Sequence, residues 1–330
     1  MRRYGQRRAA VAVWSIMLAL AAGWPCPASA QRAHAPQRVG VLNDATGANH
    51  PTVLGLKVGL VEAGMQDGRD FIFDVRLTDG GPEQMQAAAE ALVKSGVDVI
   101  FTSGEAATLT AKAATQTIPI VFTLVGDPIA AGVIKSLAQP TGNVTGVSSL
   151  TTELVPKRLE ALKALAPGVR RVWAISHSAG PLSGVPLDRA LAASARLGVE
   201  LGPRTIRTLG ELEQVLEGLR PGDGLLVPDV AVMDISARLL EVSLARRIPA
   251  AFTSDLWVNH GGLVSYGADY RAQGLQASRL VQKIFRGTHP RELPVEGAER
   301  VILAVNLKTV AAFGLTAPRQ ILFRADVIRR

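Results

Sequence analysis

The chain has 330 residues, of which 48% are hydrophobic, 19% are charged and only 5% are aromatic. This length suffices for about two domains of ordinary size, and the composition excludes a disordered, collagen-like or repeat protein. The formal net charge is +8, but the basic residues beyond the first thirty positions are mixed with acidic ones, which argues against nucleic-acid binding.

The first thirty residues have the pattern of a secretory signal peptide. Arginines at positions 2, 3, 7 and 8 precede an apolar run, and the small residues Ala28, Ser29 and Ala30 fit a cleavage site. The run is shorter than the about 20 residues that a membrane-spanning helix needs. We therefore expect a signal peptide over residues 1–30 and a secreted chain from Gln31 that is not itself transmembrane; a retained membrane anchor is the alternative.

Removal of this segment would change both the charge and the cysteine content. The four arginines account for half of the formal charge of +8, so +4 would remain. The only cysteine, Cys26, would be lost too, and the mature chain would hold no thiol, disulfide or thiolate metal site. Cys26 is a poor lipid-anchor site because Trp24 and Pro25 precede it, where small residues are usual.

From residue 38 the chain alternates short Val/Ile-rich runs with amphipathic helices. RVGVLN precedes a helix predicted over about residues 51–63, FIFDVRL precedes PEQMQAAAEALVKSG, and VDVIFTSG precedes EAATLTAKAATQ. The next run, IPIVFTLV, precedes a break at Gly126, Asp127 and Pro128, then the predicted start of a helix rich in small residues. Such alternation predicts a parallel sheet covered on both faces.

After NVTGVSS the alternation starts again, with helices that precede the strands RRVWAISH, VELGPRTI, DGLLVPDV and IPAAFTSD. Two such series predict an α/β protein with two doubly wound parallel-sheet lobes, a hinge and a cleft between them. The C-terminal third holds more elements than the second sheet needs. We expect lobe 1 to comprise residues 31–147 plus about 268–300, and lobe 2 residues 148–267 plus about 301–330.

Polar or small residues follow the predicted strands of both series. In open parallel sheets, ligands bind beyond the carboxyl ends of the strands, next to helix N-termini. The residues at these ends are Asn43, Asp44, Thr46, Ser103, Gly104, Thr123, Gly126 and Asp127 in the first lobe, and Ser176, His177, Pro228, Asp229, Thr253, Ser254 and Asp255 in the second. Each could instead cap the next helix. Two facing rows favour the binding of a polar solute.

Patterns for catalysis and metal binding are scarce. Ser265 lies in GLVSYG, which has one residue too many for a G-x-S-x-G nucleophile elbow. His50, His177, His260 and His289 lack the i, i+4 spacing of a zinc-binding helix. No glycine-rich phosphate loop occurs either. We therefore expect no catalytic residue, no bound metal and no cofactor.

Several stretches resemble the substrate-binding components of bacterial ABC transporters, in the branch grouped around tryptophan- and tyrosine-binding proteins. They are LVEAGMQDGRDF, AKAATQTIPIVFTLVGDPIAAGVIKSLAQPTGNVTGVSSLTTELVPKRLEALKALAP, GGLVSYGADY and NLKTVAAFGLTAP, which together span nearly the whole mature chain. The resemblance implies a type I periplasmic binding fold. It also implies a two-lobed clamp that captures a small solute in the periplasm and passes it to an ABC permease and its ATPase.

The resemblance carries a ligand-binding role over to the ends of the strands. The residues assigned to the site are Asn43, Thr46, Ser103, Gly104, Thr123, Gly126, Asp127, Ser176, Asp229, Ser254 and Asp255, with Tyr266 as a wall for the ligand. PTGNVTGVSS is assigned to the hinge. The chain departs from the family at Val230, which follows Asp229 where relatives often carry asparagine, and this leaves the solute open.

The expected solute is a small polar molecule such as an amino acid or a related carboxylate, bound by a monomer that is not an enzyme. A periplasmic enzyme of the same architecture is one alternative. A solute-sensing protein for a membrane receptor is the other.

Overall fold

The computed structural model describes residues 35–43, 50–78, 81–140, 142–177, 188–228 and 233–330. These residues form two α/β lobes, each built around one sheet, which confirms the predicted fold class. The predicted signal peptide lies outside the described residues. None of the helices in these ranges combines the length and the apolar character that crossing a bilayer requires.

The strands and helices follow one another along the chain much as the sequence predicts. The strands are β1 (Gln37–Asn43), β2 (Phe71–Leu77), β3 (Val99–Ser103), β4 (Ile120–Val125), β5 (Val144–Ser148), β6 (Arg171–His177), β7 (Glu200–Ile206), β8 (Asp223–Leu226), β9 (Ala250–Phe252), β10 (Val264–Ala268), β11 (Glu296–Gly297), β12 (Val301–Asn306) and β13 (Val327–Arg329). The helices are α1 (Pro51–Glu62), α2 (Pro82–Ser95), α3 (Glu105–Ala114), α4 (Thr151–Leu165), α5 (Asp188–Leu197), α6 (Leu209–Glu217), α7 (Met233–Arg246), α8 (Asp255–Asn259), α9 (Tyr270–Phe285), α10 (Leu307–Ala312) and α11 (Arg319–Arg324).

The sheet of the first lobe has the strand order β11-β5-β4-β3-β1-β2, with all neighbours parallel. Side chains of β3 alternate between two cores. Val99 and Phe101 pack in the core that includes α1 and α9, whereas Ile100 packs in the core that includes α2 and α3. Because both faces are covered, the central strands carry apolar residues in succession, as in Val99, Ile100 and Phe101, rather than at every second position.

The sheet of the second lobe has the order β13-β12-β10-β9-β8-β6-β7. Its neighbours are parallel except that β12 runs antiparallel to β10. Strand β7 lies at one edge, where Pro203 is tolerated because the outer side of an edge strand needs no ladder hydrogen bond. Helix α4 packs in one core of this lobe, and α6 and α7 pack in the other.

The chain passes between the lobes at several points. It leaves the first sheet after β5 and enters the second lobe at α4. It returns after β10, since α9 packs on α1 and β11 pairs with β5, and it crosses again into β12. The first crossing is short, with only Ser149 and Leu150 between β5 and α4. Leu150 has a φ of 54°, a strained value for a residue other than glycine.

The segment after β4 differs from its prediction. Residues 128–140 form turns, not the start of a regular helix. A single turn closes as Ala131 N–H donates to the Asp127 carbonyl, and it ends where Gly132 takes a φ of 70°. Lys112 Nζ donates to the carbonyls of Gly132 and Val133. The chain then turns Val133 into the core, so burial decides against continuing the helix.

Replacing Gly274 with alanine is expected to lower the free energy of unfolding by roughly 1–3 kcal/mol, the usual cost of overpacking. A Cβ there would lie 1.8 Å from the Thr52 carbonyl oxygen, so α1 and α9 would have to separate. Urea unfolding measures the change. Gly168→Ala is the control, because nothing lies within 4 Å of its added Cβ; equal effects of the two substitutions would contradict the close helix contact.

Candidate functional site

Three predicted site residues lie side by side at the carboxyl edge of the first sheet. The register pairs Asn43 of β1 with Ser103 of β3, and Ser103 with Thr123 of β4. Their exposed fractions are 1%, 1% and 0%. Apolar side chains are the usual occupants of such buried positions. This polar row therefore distinguishes the carboxyl edge of the sheet from the apolar core below it.

His50 extends the polar row into the first turn of α1. It is the N-cap residue, its Nδ1 accepts the Thr52 N–H at 3.4 Å, and Pro51 takes the first helical position. Thr52 Oγ1 lies 2.8 Å from His50 Nδ1 and 2.7 Å from Ser103 Oγ. Ser103 Oγ lies 3.4 Å from Thr123 Oγ1. Burial lowers the pKa of His50 to about 4, so its imidazole is neutral at neutral pH.

Sequence reasoning missed His50 because it searched for pairs of histidines. The signal that could have found it is the order His-Pro-Thr directly before an amphipathic helix, since proline marks the first helical residue and the residue before it is then the cap.

Gly104 and Gly126 allow the chain to turn sharply beyond β3 and β4. Gly104 has a φ of 99°, which favours glycine, and its N–H donates to the Thr123 carbonyl. A Cβ on Gly126 would lie 3.1 Å from the Thr151 side chain at the start of α4. Gly126 therefore lies where the first lobe meets the crossing to the second.

Asp127 is a cap in the structure. Its Oδ1 accepts the N–H groups of Ile129 and Ala130 at 3.1 and 3.0 Å, and its side chain is half-buried. Glu105 is close enough to interact with it: loss of hydration, followed by repulsion from Asp127, raises the pKa of Glu105. The carboxylates of Asp127 and Glu105 therefore lie near each other at the N-terminus of α3.

Helix α9 contributes a residue that sequence reasoning missed. Gln273 is 1% exposed, and its Oε1 accepts the Leu124 N–H at 3.3 Å. Leu124 has a φ of 58°, and the pairing of β4 with β5 shifts register there, so the side chain stabilises a bulge directly after Thr123. Gln273 Nε2 is buried and has no hydrogen-bond partner among the described residues.

The ends of the second-lobe strands are also polar. Ser254 is the N-cap of α8, accepting the Leu256 N–H at 3.2 Å, and Asp255 is half-buried in the first turn of that helix. Among the described residues, Ser176 Oγ makes only long contacts, 3.5 Å, with Thr205 Oγ1 and the Arg204 carbonyl. Ser254 therefore takes the capping role, which the sequence left open for each of these residues.

A buried arginine organises the second-lobe edge. Arg158 of α4 is only 1% exposed. It donates to the Tyr266 carbonyl at 2.8 Å, to the Val227 and Pro228 carbonyls at 2.7 and 2.9 Å, and to the Thr151 carbonyl at 3.2 Å. One side chain therefore connects β10, the end of β8 and the start of α4. Nothing in the sequence distinguishes it from the neighbouring Lys157 on a helix rich in charge.

The two tyrosines near the edge differ in their surroundings. Tyr266, the predicted wall, is half-buried and packs against the core of the second lobe. Tyr270, four residues later, opens α9, and its ring lies 6.2 Å from the His50 ring at 22°. Burial raises the pKa of Tyr270, while hydrogen bonds to Thr253 and Ser254 oppose the shift. Tyr270 thus connects the first-lobe helix pair with the second-lobe edge.

Two of the predicted site residues, Thr46 and Asp229, lie outside the described residues. Within the described ranges, no cluster of histidine, cysteine, aspartate or glutamate could hold a metal ion. Two cavities bounded by described residues, about 480 and 440 Å³, lie on the second lobe around Trp173 and around Phe313. No predicted site residue lines either one, so neither belongs to the polar edge.

Comparisons with known proteins agree with this architecture. The model of a family described as ABC transporter substrate binding protein matches residues 44–328. A tyrosine-binding protein of Clostridioides difficile (strain R20291) is 26% identical over 278 residues, which is 81% of this chain and 78% of that protein.

Solved structures are similar as well. A conserved domain protein of Vibrio cholerae is 25% identical with a TM-score of 0.79, covering 89% of this chain and 100% of that one. An ABC domain from Streptococcus pneumonia, solved in complex with L-Trp, is 23% identical with the same TM-score and the same coverage.

Replacing Arg158 with lysine is expected to lower the free energy of unfolding by roughly 2–4 kcal/mol, because an ammonium cannot reach four carbonyls that a guanidinium satisfies. Chemical unfolding measures the loss. Lys157→Met is the control: Lys157 pairs with Glu160 on the exposed side of the same helix, and such pairs contribute less than about 1 kcal/mol. A loss no larger than that of the control would contradict the role of Arg158.

The lowered pKa of His50 predicts that part of the stability depends on pH. The unfolded chain takes up this proton near the ordinary value of 6.5, whereas the folded protein resists it until about pH 4. The free energy of unfolding should therefore fall by roughly 1–3 kcal/mol as pH drops through this window. Urea unfolding of wild type and His50→Gln at about pH 7 and about pH 4.5 isolates the effect; an identical pH dependence of the two proteins would contradict it.

Proposed function

Because the chain belongs to the family of ABC transporter substrate binding proteins, we propose that it is the periplasmic component of an import system. It binds a small polar solute between its two lobes and delivers it to a membrane permease and its ATPase. The observation that carries this proposal is the polar row of Asn43, Ser103 and Thr123 at the carboxyl edge of the first sheet, the position where open parallel sheets bind ligands.

An amino acid or a related carboxylate is the proposed class of solute. The relatives support this class, since one is a tyrosine-binding protein and another was solved with L-Trp. The edge residues offer both kinds of partner that a zwitterion needs. Asp127 and Glu105 supply negative charge for an ammonium group, and the Ser176 hydroxyl, whose contacts among the described residues are 3.5 Å long, supplies a donor for a carboxylate.

The remaining parts of the proposal come from the sequence. The signal peptide over residues 1–30 would direct the chain to the periplasm, and residues 31–147 plus about 268–300 would form lobe 1 as one rigid half of the clamp. The protein acts as a monomer and releases its solute unchanged. Closure would occur through changes in a few backbone torsion angles at the crossings between the lobes. Leu150, at the first crossing, has the strained backbone conformation.

A thermal-shift screen of the purified protein against amino acids, small carboxylates and aromatic metabolites tests the function. A solute present at 100 times its dissociation constant should stabilise the folded state by about 2.7 kcal/mol. The same solutes are recovered and analysed after incubation. Chemical conversion of a stabilising solute would contradict simple binding and favour an enzyme, and a screen without any stabilising amino acid or carboxylate would contradict the proposed class.

Substitution of Asp127 separates its charge from its capping role. Asp127→Asn keeps an oxygen that can cap the Ile129 and Ala130 N–H groups but removes the charge. For an amino acid that binds wild type, we expect Asn to weaken affinity about 10- to 100-fold, because the ammonium loses a charged partner. Isothermal titration calorimetry measures this. An unchanged affinity in Asp127→Asn together with a loss in Asp127→Ala would show that Asp127 only caps the turn.

A further inference from the structure

Four polar side chains of the first lobe form a continuous series whose direction of donation decides what the site can bind. His50 Nδ1, Thr52 Oγ1, Ser103 Oγ and Thr123 Oγ1 follow one another at 2.8, 2.7 and 3.4 Å. At the far end, Thr123 Oγ1 lies 3.2 Å from the Thr102 carbonyl, to which it can only donate. Each hydroxyl has a single proton to place.

Two arrangements of these protons are conceivable. In one, Nδ1 carries the ring proton and every group donates toward the Thr102 carbonyl. In the other, Nδ1 accepts, and Thr52 and Ser103 donate toward the ring. The two arrangements give a neutral His50 opposite tautomers, so its Nε2 is an acceptor in the first and a donor in the second.

Two distances favour the second arrangement. The Thr52 backbone N–H is directed at Nδ1 at 3.4 Å, and a proton on Nδ1 would oppose it. The separation of Ser103 and Thr123 is 3.4 Å, whereas an O–H···O bond spans about 2.5–3.0 Å. The Ser103 proton is therefore better placed toward Thr52, at 2.7 Å, than toward Thr123, while Thr123 donates to the Thr102 carbonyl at 3.2 Å.

The position of His50 leaves the ring proton on Nε2 available to a ligand. Burial lowers the pKa of the ring to about 4, so at neutral pH the ring carries a single proton, which the second arrangement puts on Nε2. Among the described residues, no group is within hydrogen-bonding distance of Nε2, although the half-buried ring lies against Tyr270. His50 precedes α1, so it stands at the same carboxyl edge as Ser103 and Thr123.

We propose that His50, held as the Nε2–H tautomer by Thr52 and Ser103, donates a hydrogen bond to the bound solute. The residue would select a solute that presents an oxygen acceptor at this position, such as a carboxylate, and would disfavour one that presents a second donor. This inference rests on the proposed function for the identity of the ligand. The tautomer of His50, in contrast, does not depend on a bound ligand. His50 acts as a neutral donor, so its contribution does not require a positive charge.

The tautomer is measured directly, without any ligand. A long-range ¹H–¹⁵N correlation spectrum of the purified protein with ¹⁵N-labelled histidines distinguishes a protonated from an unprotonated ring nitrogen. The signals that vanish in His50→Gln assign the residue. We expect a protonated Nε2 and an unprotonated Nδ1. A protonated Nδ1 would overturn the proposal, whatever the protein binds.

Removing one donor from the series tests whether the series sets the tautomer of His50. In Thr52→Val, Nδ1 loses the hydroxyl that donates to it, so the ring should shift toward a mixture of the two tautomers. Thr145→Val is the matched control. Like Thr52, Thr145 is a fully buried threonine of the first lobe; its hydroxyl donates to the Leu293 carbonyl, and it belongs to no part of the series. An unchanged tautomer in Thr52→Val would contradict the role of the series.

Binding of L-tyrosine, used as the probe, tests whether His50 Nε2–H donates to the carboxylate of the solute. His50→Ser keeps an oxygen cap for α1 but removes the ring donor, and it should weaken L-tyrosine about 10- to 100-fold while leaving tyramine, which lacks the carboxylate, unchanged. Equal weakening of both compounds would overturn the contact with a carboxylate. Absence of any L-tyrosine binding to wild type would count against the proposed class of solute, and the spectrum would still decide the tautomer.

Discussion

The close contact between α1 and α9 is the constraint on which the polar edge of the first lobe depends. A Cβ on Gly55 would lie 2.0 Å from the Arg271 carbonyl oxygen, and a Cβ on Gly274 would lie 1.8 Å from the Thr52 carbonyl oxygen. Only glycine permits backbones to approach this closely. The approach brings Gln273 to the bulge of β4 and Tyr270 to the ring of His50. A helix that follows a second-lobe strand thereby completes the first-lobe site.

Arg158 has the corresponding role in the second lobe. Burial of a guanidinium is costly unless hydrogen bonds replace its hydration, and here carbonyls from three separate segments do so. One of them, Thr151, begins the helix that follows the crossing between the lobes. The position of the β8 end and the direction in which the chain leaves the crossing are therefore fixed by the same side chain.

Capping and ligand binding are compatible roles for a side chain at the edge of a sheet. Asp127 and Ser254 both accept backbone N–H groups of the turn or helix that follows them. A cap fixes the side chain in one rotamer, which lowers the entropy that a ligand would otherwise have to remove. Ser103 and Thr123 differ from these two, because their hydroxyls contact one another, Thr52 and the Thr102 carbonyl, and cap no helix. The buried row is thus polar for a reason other than helix capping.

The sequence by itself determined the order of the elements, the two-lobed parallel fold and the alignment of Asn43, Ser103 and Thr123, because periodicity and strand-end residues are local properties of the chain. It could not reveal Gln273, Tyr270 or Arg158 as parts of the edge, since each looks like an ordinary helix residue until a distant segment meets it. It also placed a helix start after Asp127, where the burial of Val133 and the left-handed Gly132 instead produce a turn. Only the tertiary structure decided these features, because contacts between residues far apart in the chain depend on how the lobes pack, which local patterns do not encode.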